Sequence, residues 1–401
     1  MANNHRGAQG MGTIRKKIIT RKGKQYTYFE ARITTGYDPG TGKQVQRSIS
    51  GKTQKEVREK MQAFQVELNR GAYIEPSRLT VGEWCDTWIK EYSLGVKPRT
   101  AEIYRSDIER YIKPELGAIK LEILQPHMIQ KFYNDLLRGH NDKPGLAPKT
   151  IKNIHGVLHQ ALKQAVLNGL IRSNPADACV LPRIDKPELK PLDNVEIAAF
   201  LNQIRGTRFE SLFTVTVFTG LREGEVLGLT WDCVDFDRGT ILVNKQLQLH
   251  QEKGLANAYQ LVPTKNSKSR KITAAPTVMA ALKQRRAQQE QQHKEAGAGW
   301  QNDRDLVFTN EIGQHLTKSI IYREFKQYVT AIGRPDARFH DLRHSYAVAA
   351  LSSGDDIKTV QSNLGHATAA FTLDVYGHVT NQMKADSAER MEQFIQSVSE
   401  K

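Results

Sequence analysis

FTGLREGEVLGL, residues 218–229, is the stretch on which the fold of this chain turns. Gly220 permits a break between an apolar helix carrying Phe213 to Phe218 and a second helix that starts at Arg222. Arg222 is therefore expected to project from a helix start. Glu225 follows three residues later, placed to pair with a neighbour or to orient the arginine. An arginine at a helix start is more often than not a surface residue, so its meaning depends on what surrounds it.

Three other stretches of the same region bear on that meaning. In FHDLRHSYAVAAL (339–351), His340 and Arg343 are three apart and His344 is four beyond His340, so a helix places all three on one face. Two histidines at that spacing suit zinc, but no glutamate lies between them, Arg343 repels a cation, and no further ligand set is apparent. No metal site is expected. NLGHATAAFTLDVYGH (363–378) holds His366 and, ten residues on, Tyr376. PTKNSKSRKI (263–272) reads as a polar hairpin turn between two strands, holding Lys265, Lys268 and Lys271. No single stretch is decisive, since each also suits ordinary surface or core residues. Their order and spacing together are specific.

Farther out, VEIAAFLNQI (195–204) is helical, while TILVNKQLQLH (240–250), YQLVPTK (259–265) and RKITAAP (270–276) alternate and suggest a small sheet within a helical region. LPRIDKPELKPLDN (181–194) is a proline- and lysine-rich connector. From Leu79 to about Val180 the pattern is helical throughout. Ile103, Tyr104, Ile108, Tyr111 and Ile112 share a face behind a Thr100 N-cap, and Ile151, Ile154, Leu158, Ala161, Leu162 and Ala165 recur every three or four residues before Gly169 stops the helix. Lys149, Lys152 and Lys163 lie off that stripe, where they can meet phosphates or water.

GAYIEPSR (71–78) is a linker, and residues 1–70 before it carry 15 Lys and Arg against 5 Asp and Glu, about two-thirds of the chain's net charge of +15. YTYFEARIT and KQVQRSISG alternate like paired strands around the turn DPGTG, and Val57, Met61, Phe64 and Leu68 follow at helical spacing. Such a sheet gives Lys16, Lys17, Arg21, Lys22 and Lys24 a rigid platform from which to meet DNA. The positive balance favours a polyanionic partner over a small ligand or an acidic protein.

The 401 residues and 39% hydrophobic content suit two to four soluble domains. No apolar run reaches the roughly 18 residues of a membrane span, and MANNHRGAQG lacks the apolar stretch of a secretory signal. Cys85, Cys179 and Cys233 are odd in number and widely spaced, as thiols in a reducing compartment are. A cytoplasmic protein with no membrane contact is expected.

Arg222 in TGLREGE, Lys265, His340 and Arg343 in HDLRH, His366 in LGH, and Tyr376 resemble, in order and spacing, the catalytic hexad of the tyrosine recombinase (phage integrase) family. The chain is most similar in plan to integrases of temperate phages and of conjugative transposons of Gram-positive bacteria. That resemblance implies a multidomain fold, mainly α with small β-sheets: an arm-type DNA-binding domain over 1–70, a helical, SAM-like core-binding domain over 79–180, and a mixed α+β catalytic domain over 190–401. It also implies a 3′-phosphotyrosine on Tyr376, arginines on the phosphate, Lys265 as acid for the leaving group, His340 as proton partner of the tyrosine, His366 as a donor to the phosphate, and Glu225 in support. No cofactor is implied. The implied partners are double-stranded attachment sites of core and arm type, a homotetramer on DNA, an excisionase and a host DNA-bending protein, all within the nucleoid of a bacterial host. A type IB topoisomerase-like relaxing enzyme and a catalytically inactive DNA-binding regulator are the competing readings. In the tail, 387–401, Met391, Phe394, Ile395 and Val398 share one face, which is expected to cover the chain's own catalytic domain; in the resembled family such segments can dock on a neighbouring protomer.

Overall fold

The computed structural model describes residues 13–21, 24–37, 41–69, 78–140, 143–185, 189–250, 258–264, 268–366 and 379–399. The chain divides into two compact units, Met1–Asp185 and Lys186–Lys401.

In the first unit β1 (Arg15–Arg21), β2 (Lys24–Tyr37) and β3 (Gln44–Gly51) form an antiparallel sheet in that order. The period-two alternation buries Ala31, Ile33 and Ile49 against Val57, Met61 and Phe64 of α1 (Gln54–Asn69). The expected pairing of the second and third strands is thus met. β1 adds a strand whose run of charges, RKKIITR, masks its alternation.

The helices of this unit are α2 (Val81–Glu91), α3 (Pro98–Asp107), α4 (Lys113–Leu116), α5 (Pro126–Arg138) and α6 (Pro148–Leu167), with a two-stranded hairpin of β4 (Gly139–His140) and β5 (Lys143–Pro144) between the last two. A Thr80–Glu83 capping box starts α2, and Trp84 Nε1 donates to the Ala161 carbonyl of α6 at 2.7 Å. All six apolar positions expected on α6 are buried. Full burial of a leucine or isoleucine contributes about 1.5–3 kcal/mol, so Ile151, Ile154, Leu158 and Leu162 each add substantially to the helical core. Two details differ from the sequence reading. The N-cap of α3 is Lys97, because Pro98 with its fixed φ starts the helix two residues before Thr100. Ile103 is exposed, since a π-helical turn at Ile108–Ile112 offsets the inward face between α3 and α4.

The second unit packs α7 (Asn194–Ile204), α8 (Glu210–Thr219), α10 (Pro276–Ala296), α11 (Lys318–Ala331) and α12 (Phe339–Ser352) on a core in which Phe200, Phe213, Phe325, Tyr328 and Phe339 meet at ring separations of 5.6–6.4 Å. The short helix α9 (Glu223–Leu227) follows α8, and α13 (Ile357–Leu364) and α14 (Val379–Ser399) follow α12.

The strands correct an expectation. β6 (Val234–Asp235), β7 (Thr240–Val243) and β10 (Arg270–Thr273) form one sheet, and β8 (Lys245–His250) and β9 (Ala258–Pro263) another. Pairing ends at Lys245↔Pro263 on one side and resumes at Val243↔Arg270 on the other. Between those two pairs the facing strand has only Asn244. β9 and β10 pair with different strands and not with each other, so they do not form the expected hairpin. The break is held from below: a Cβ on Gly228 would lie 2.5 Å from the Leu247 nitrogen, so only glycine lets β8 lie this close to the end of α9.

On α14 the residues Met391, Phe394, Ile395 and Val398 are 57%, 60%, 47% and 54% exposed. The apolar face of the tail does not cover its own domain. Among the described residues no helix is long and apolar enough to cross a membrane, and no group of His, Cys, Asp and Glu is arranged to hold a metal ion.

Candidate active site

Arg222 lies where two local events place it. Gly220 ends α8 in the left-handed region at φ 62°, and a Cβ there would meet Tyr346 at 2.6 Å and Leu364 at 2.7 Å. Two residues later Arg222 is the N-cap of α9, so that helix starts one residue beyond the arginine. The Glu225 side chain accepts from the Arg222 backbone N–H at 3.0 Å and from its guanidinium at 2.8 Å. This is the pairing expected from their spacing. Glu225 is buried. Burial alone would raise its pKa, but the hydrogen bonds and charge of Arg270, joined by those of Arg222, bring it down to about 2.

Arg343, on the second turn of α12, is only 2% exposed. Its guanidinium donates to the Gly220 carbonyl at 2.8 Å and to the Leu364 carbonyl at 2.5 Å. It thereby joins the turn before Arg222 to the end of α13. Gly365 then turns the chain at φ 63°, and His366 follows, its backbone N–H on the Gln361 carbonyl at 3.1 Å. α12 is itself fixed by Ser345, whose hydroxyl donates to Asp341 O at 2.9 Å and accepts from Leu192 N at 2.8 Å.

His340 and His344 lie edge to face, 4.9 Å apart, and Arg343 on the same helix is buried while His340 is exposed. Partial desolvation, then the fields of His344, Arg343 and Arg222, push His340 down to about 4 against the opposing pull of Asp341. Desolvation, then Arg343, Arg222, His344 and His340, push His366 down to about 3. Both rings are neutral at neutral pH, so each has one nitrogen that accepts a proton and one that donates. The structure thus brings Arg222, Glu225, His340, Arg343 and His366 into one electrostatically coupled, cationic site. Lys265 and Tyr376 lie outside the described residues.

The basic positions expected to meet DNA are mostly solvent-facing. Lys16, Lys24, Lys149 and Lys152 are exposed, and Lys17 is exposed but paired with Glu30 on the adjacent strand. Lys22 and the side chain of Arg21 lie outside the described residues.

One site residue escaped the sequence reading. Arg270, at the start of β10, has a side chain 9% exposed and places a two-pronged grip on Glu225, at 3.0 and 2.7 Å, with its Nε on the Asn363 carbonyl at 2.7 Å. In KNSKSRK (265–271) it is one cation among four, and only its burial separates it from Lys268 and Lys271.

Residues 189–383 match the model described as "Phage integrase family", and residues 80–137 that described as "Phage integrase, N-terminal SAM-like domain". The chain is 30% identical over 393 residues to a protein named "Tyrosine recombinase XerC-like" from Caldanaerobacter subterraneus subsp. tengcongensis, covering 94% of this chain and 98% of that one. Among solved structures, it resembles the Tn1549 transposon integrase in complex with a circular-intermediate DNA, at TM-score 0.65 and 22% identity over 78% of this chain and 99% of that one. It also resembles lambda integrase, solved as a tetramer on a Holliday junction, at TM-score 0.53 and 20% identity over 87% and 93%. These two likenesses are likenesses of fold.

Proposed function

The chain belongs to the phage integrase family and is a tyrosine recombinase, an enzyme that cleaves and rejoins DNA in site-specific recombination, and on that premise we propose how its residues divide the work. Tyr376 is the nucleophile. Its hydroxyl oxygen attacks the scissile phosphorus, the bond to the 5′-oxygen breaks, and a 3′-phosphotyrosine and a 5′-hydroxyl result. The covalent link conserves the phosphodiester energy, so rejoining by reversal needs no nucleotide cofactor.

An unperturbed tyrosine has a pKa of about 10, so its proton must be accepted as it attacks. His340, held neutral by its surroundings, is the acceptor. Arg222 and Arg343 hold the non-bridging oxygens, because guanidinium forks match phosphate geometry and stay charged. His366 donates a further hydrogen bond, and Lys265 protonates the departing 5′-oxygen. Glu225 supports Arg222. The observation that carries this reading is the linkage of α12 to α13 and to the turn between α8 and α9 through Arg343, which gathers two arginines and two neutral histidines at one place.

In the same reading residues 1–70 bind arm-type sites, 79–180 bind the core site with Lys149 and Lys152 on phosphates, and 190–401 carry the chemistry. Recombination integrates, and in reverse excises, a mobile element in a bacterial cytoplasm, with an excisionase and a DNA-bending host protein as accessory partners. Four copies assemble on DNA, as lambda integrase does on a Holliday junction, and the exposed apolar face of α14 suits contact with a second copy. The test is a Tyr376→Phe variant on a nicked suicide substrate. It is expected to bind DNA like the wild type and to form no covalent adduct. An adduct trapped by that variant would remove Tyr376 from its role.

A further inference from the structure

Glu225 is shared by two guanidinium groups that differ in what else they can reach. Arg270 commits both prongs and its Nε, the prongs to the two carboxylate oxygens and the Nε to the Asn363 carbonyl, and its side chain is 9% exposed. Arg222 commits one guanidinium nitrogen to the same carboxylate, and its side chain is 28% exposed. A lone Glu225 facing Arg222 would be free to close a two-pronged pair with it, neutralising its charge and using the donors a phosphate needs. With Arg270 on the carboxylate, the cluster of two arginines and one glutamate keeps a net positive charge, and the more exposed arginine carries it. Arg270 also packs under the turn that presents His366, since a Cβ on Gly365 would lie 3.1 Å from Arg270 Cδ. It begins the strand that follows residues 264–269.

We infer that Arg270 is a positioning residue for strand cleavage: it occupies Glu225 so that Arg222 stays charged and directed at the scissile phosphate. This rests on the assignment of Arg222 to the non-bridging oxygens made above. Arg270 itself touches no reacting atom in this scheme. Misplacing a phosphate clamp by an ångström slows a reaction about 100-fold, which sets the expected size of the effect.

The test compares two suicide substrates, one with an ordinary scissile phosphodiester and one with a methylphosphonate, whose neutral methyl group replaces a charged non-bridging oxygen. A clamp for that charge matters on the first and little on the second. Arg270→Gln is expected to form covalent adduct about 100-fold more slowly on the phosphodiester, at unchanged DNA affinity, and to approach the wild-type rate on the methylphosphonate. Arg270→Lys keeps the charge without the fork and is expected to show the same substrate pattern with a smaller loss. It carries the comparison if the glutamine variant fails to fold. Equal slowing on both substrates, or no slowing on the phosphodiester, would overturn the inference. Arg222→Ala runs alongside. If it is not itself rescued by the methylphosphonate, the clamp assignment fails and takes the inference with it; if it is rescued while both Arg270 variants are not, only the role of Arg270 falls.

Discussion

On the sheet of the first unit Lys16 and Lys24 stand exposed on strands backed by a small core of Ala31, Ile33, Ile49, Val57, Met61 and Phe64. In the second unit Arg343 and Arg270 are buried, each guanidinium tied to carbonyl or carboxylate oxygens. In the proposed reading the same kind of charge is set to two different physical tasks. Exposed lysines on a platform attract a polyanion through a solvent-screened field that tolerates small displacements. Buried, tethered arginines cannot move to suit a ligand, which is what stabilising a transition state at one phosphate demands. Disturbing a charge should therefore have large, geometry-dependent effects in the second unit and small, salt-dependent ones in the first.

The largest effect is expected at Arg343. Arg343→Lys keeps the charge but cannot reach the Gly220 and Leu364 carbonyls together, and two buried acceptors lose their donor. Adduct formation on a suicide substrate should fall about 10²–10³-fold, with a lower melting temperature. A lysine variant that cleaves at the wild-type rate would show that charge alone is enough and that the contrast between the two units is overdrawn.

Glu225→Gln comes next. The carboxyl is held at about 2 against an ordinary 4.5, which corresponds to about 3 kcal/mol of stability at neutral pH. Because the folded pKa is depressed, that stability is fully present above pH 4.5 and is lost as pH falls toward 2. Urea unfolding of the second unit should be shifted strongly by the substitution at pH 7 and much less near pH 3. An equal shift at both pH values would mean that Glu225 acts by packing and not by charge.

The same contrast governs how much was readable in the sequence. β2, β3 and α1 of the platform were legible from alternation and helical spacing, whereas β1, which bears Lys16 and Lys17, was masked by its run of charges. α6 was legible for the same reason, its apolar positions repeating every three or four residues. Arg222, Glu225, His340, Arg343 and His366 were legible only as a set in a known order, since an isolated arginine at a helix start looks like surface. Arg270 was hidden because burial is set by partners 45 and 93 residues away in sequence, on α9 and α13. The strand pairing is hidden for a related reason: residues 264–269 look like a hairpin turn in sequence, and only the register of β7 and β8 shows that β9 and β10 take different partners. Local pattern reports secondary structure and surface, and it is silent on which distant backbone group will accept a buried donor.

The smallest effect is expected on the sheet, at Lys16. The residue is exposed on β1, so Lys16→Ala should leave unfolding unchanged within about 0.5 kcal/mol. If Lys16 meets an arm-site phosphate, the substitution should weaken arm-site binding a few-fold and lower the dependence of log affinity on log salt by about 0.9, the signature of one lost phosphate contact. Cleavage at an isolated core site should not change, because in the proposed division of labour residues 1–70 bind arm-type sites. Lys17, already paired with Glu30, provides the internal contrast: removing it also frees a carboxylate that repels DNA, so Lys17→Ala should weaken binding, whereas Glu30→Gln should strengthen it. A salt slope unaltered in Lys16→Ala and Lys17→Ala would mean that these two lysines of β1 contact no phosphate, and the cations doing so would have to be sought elsewhere in the first 70 residues.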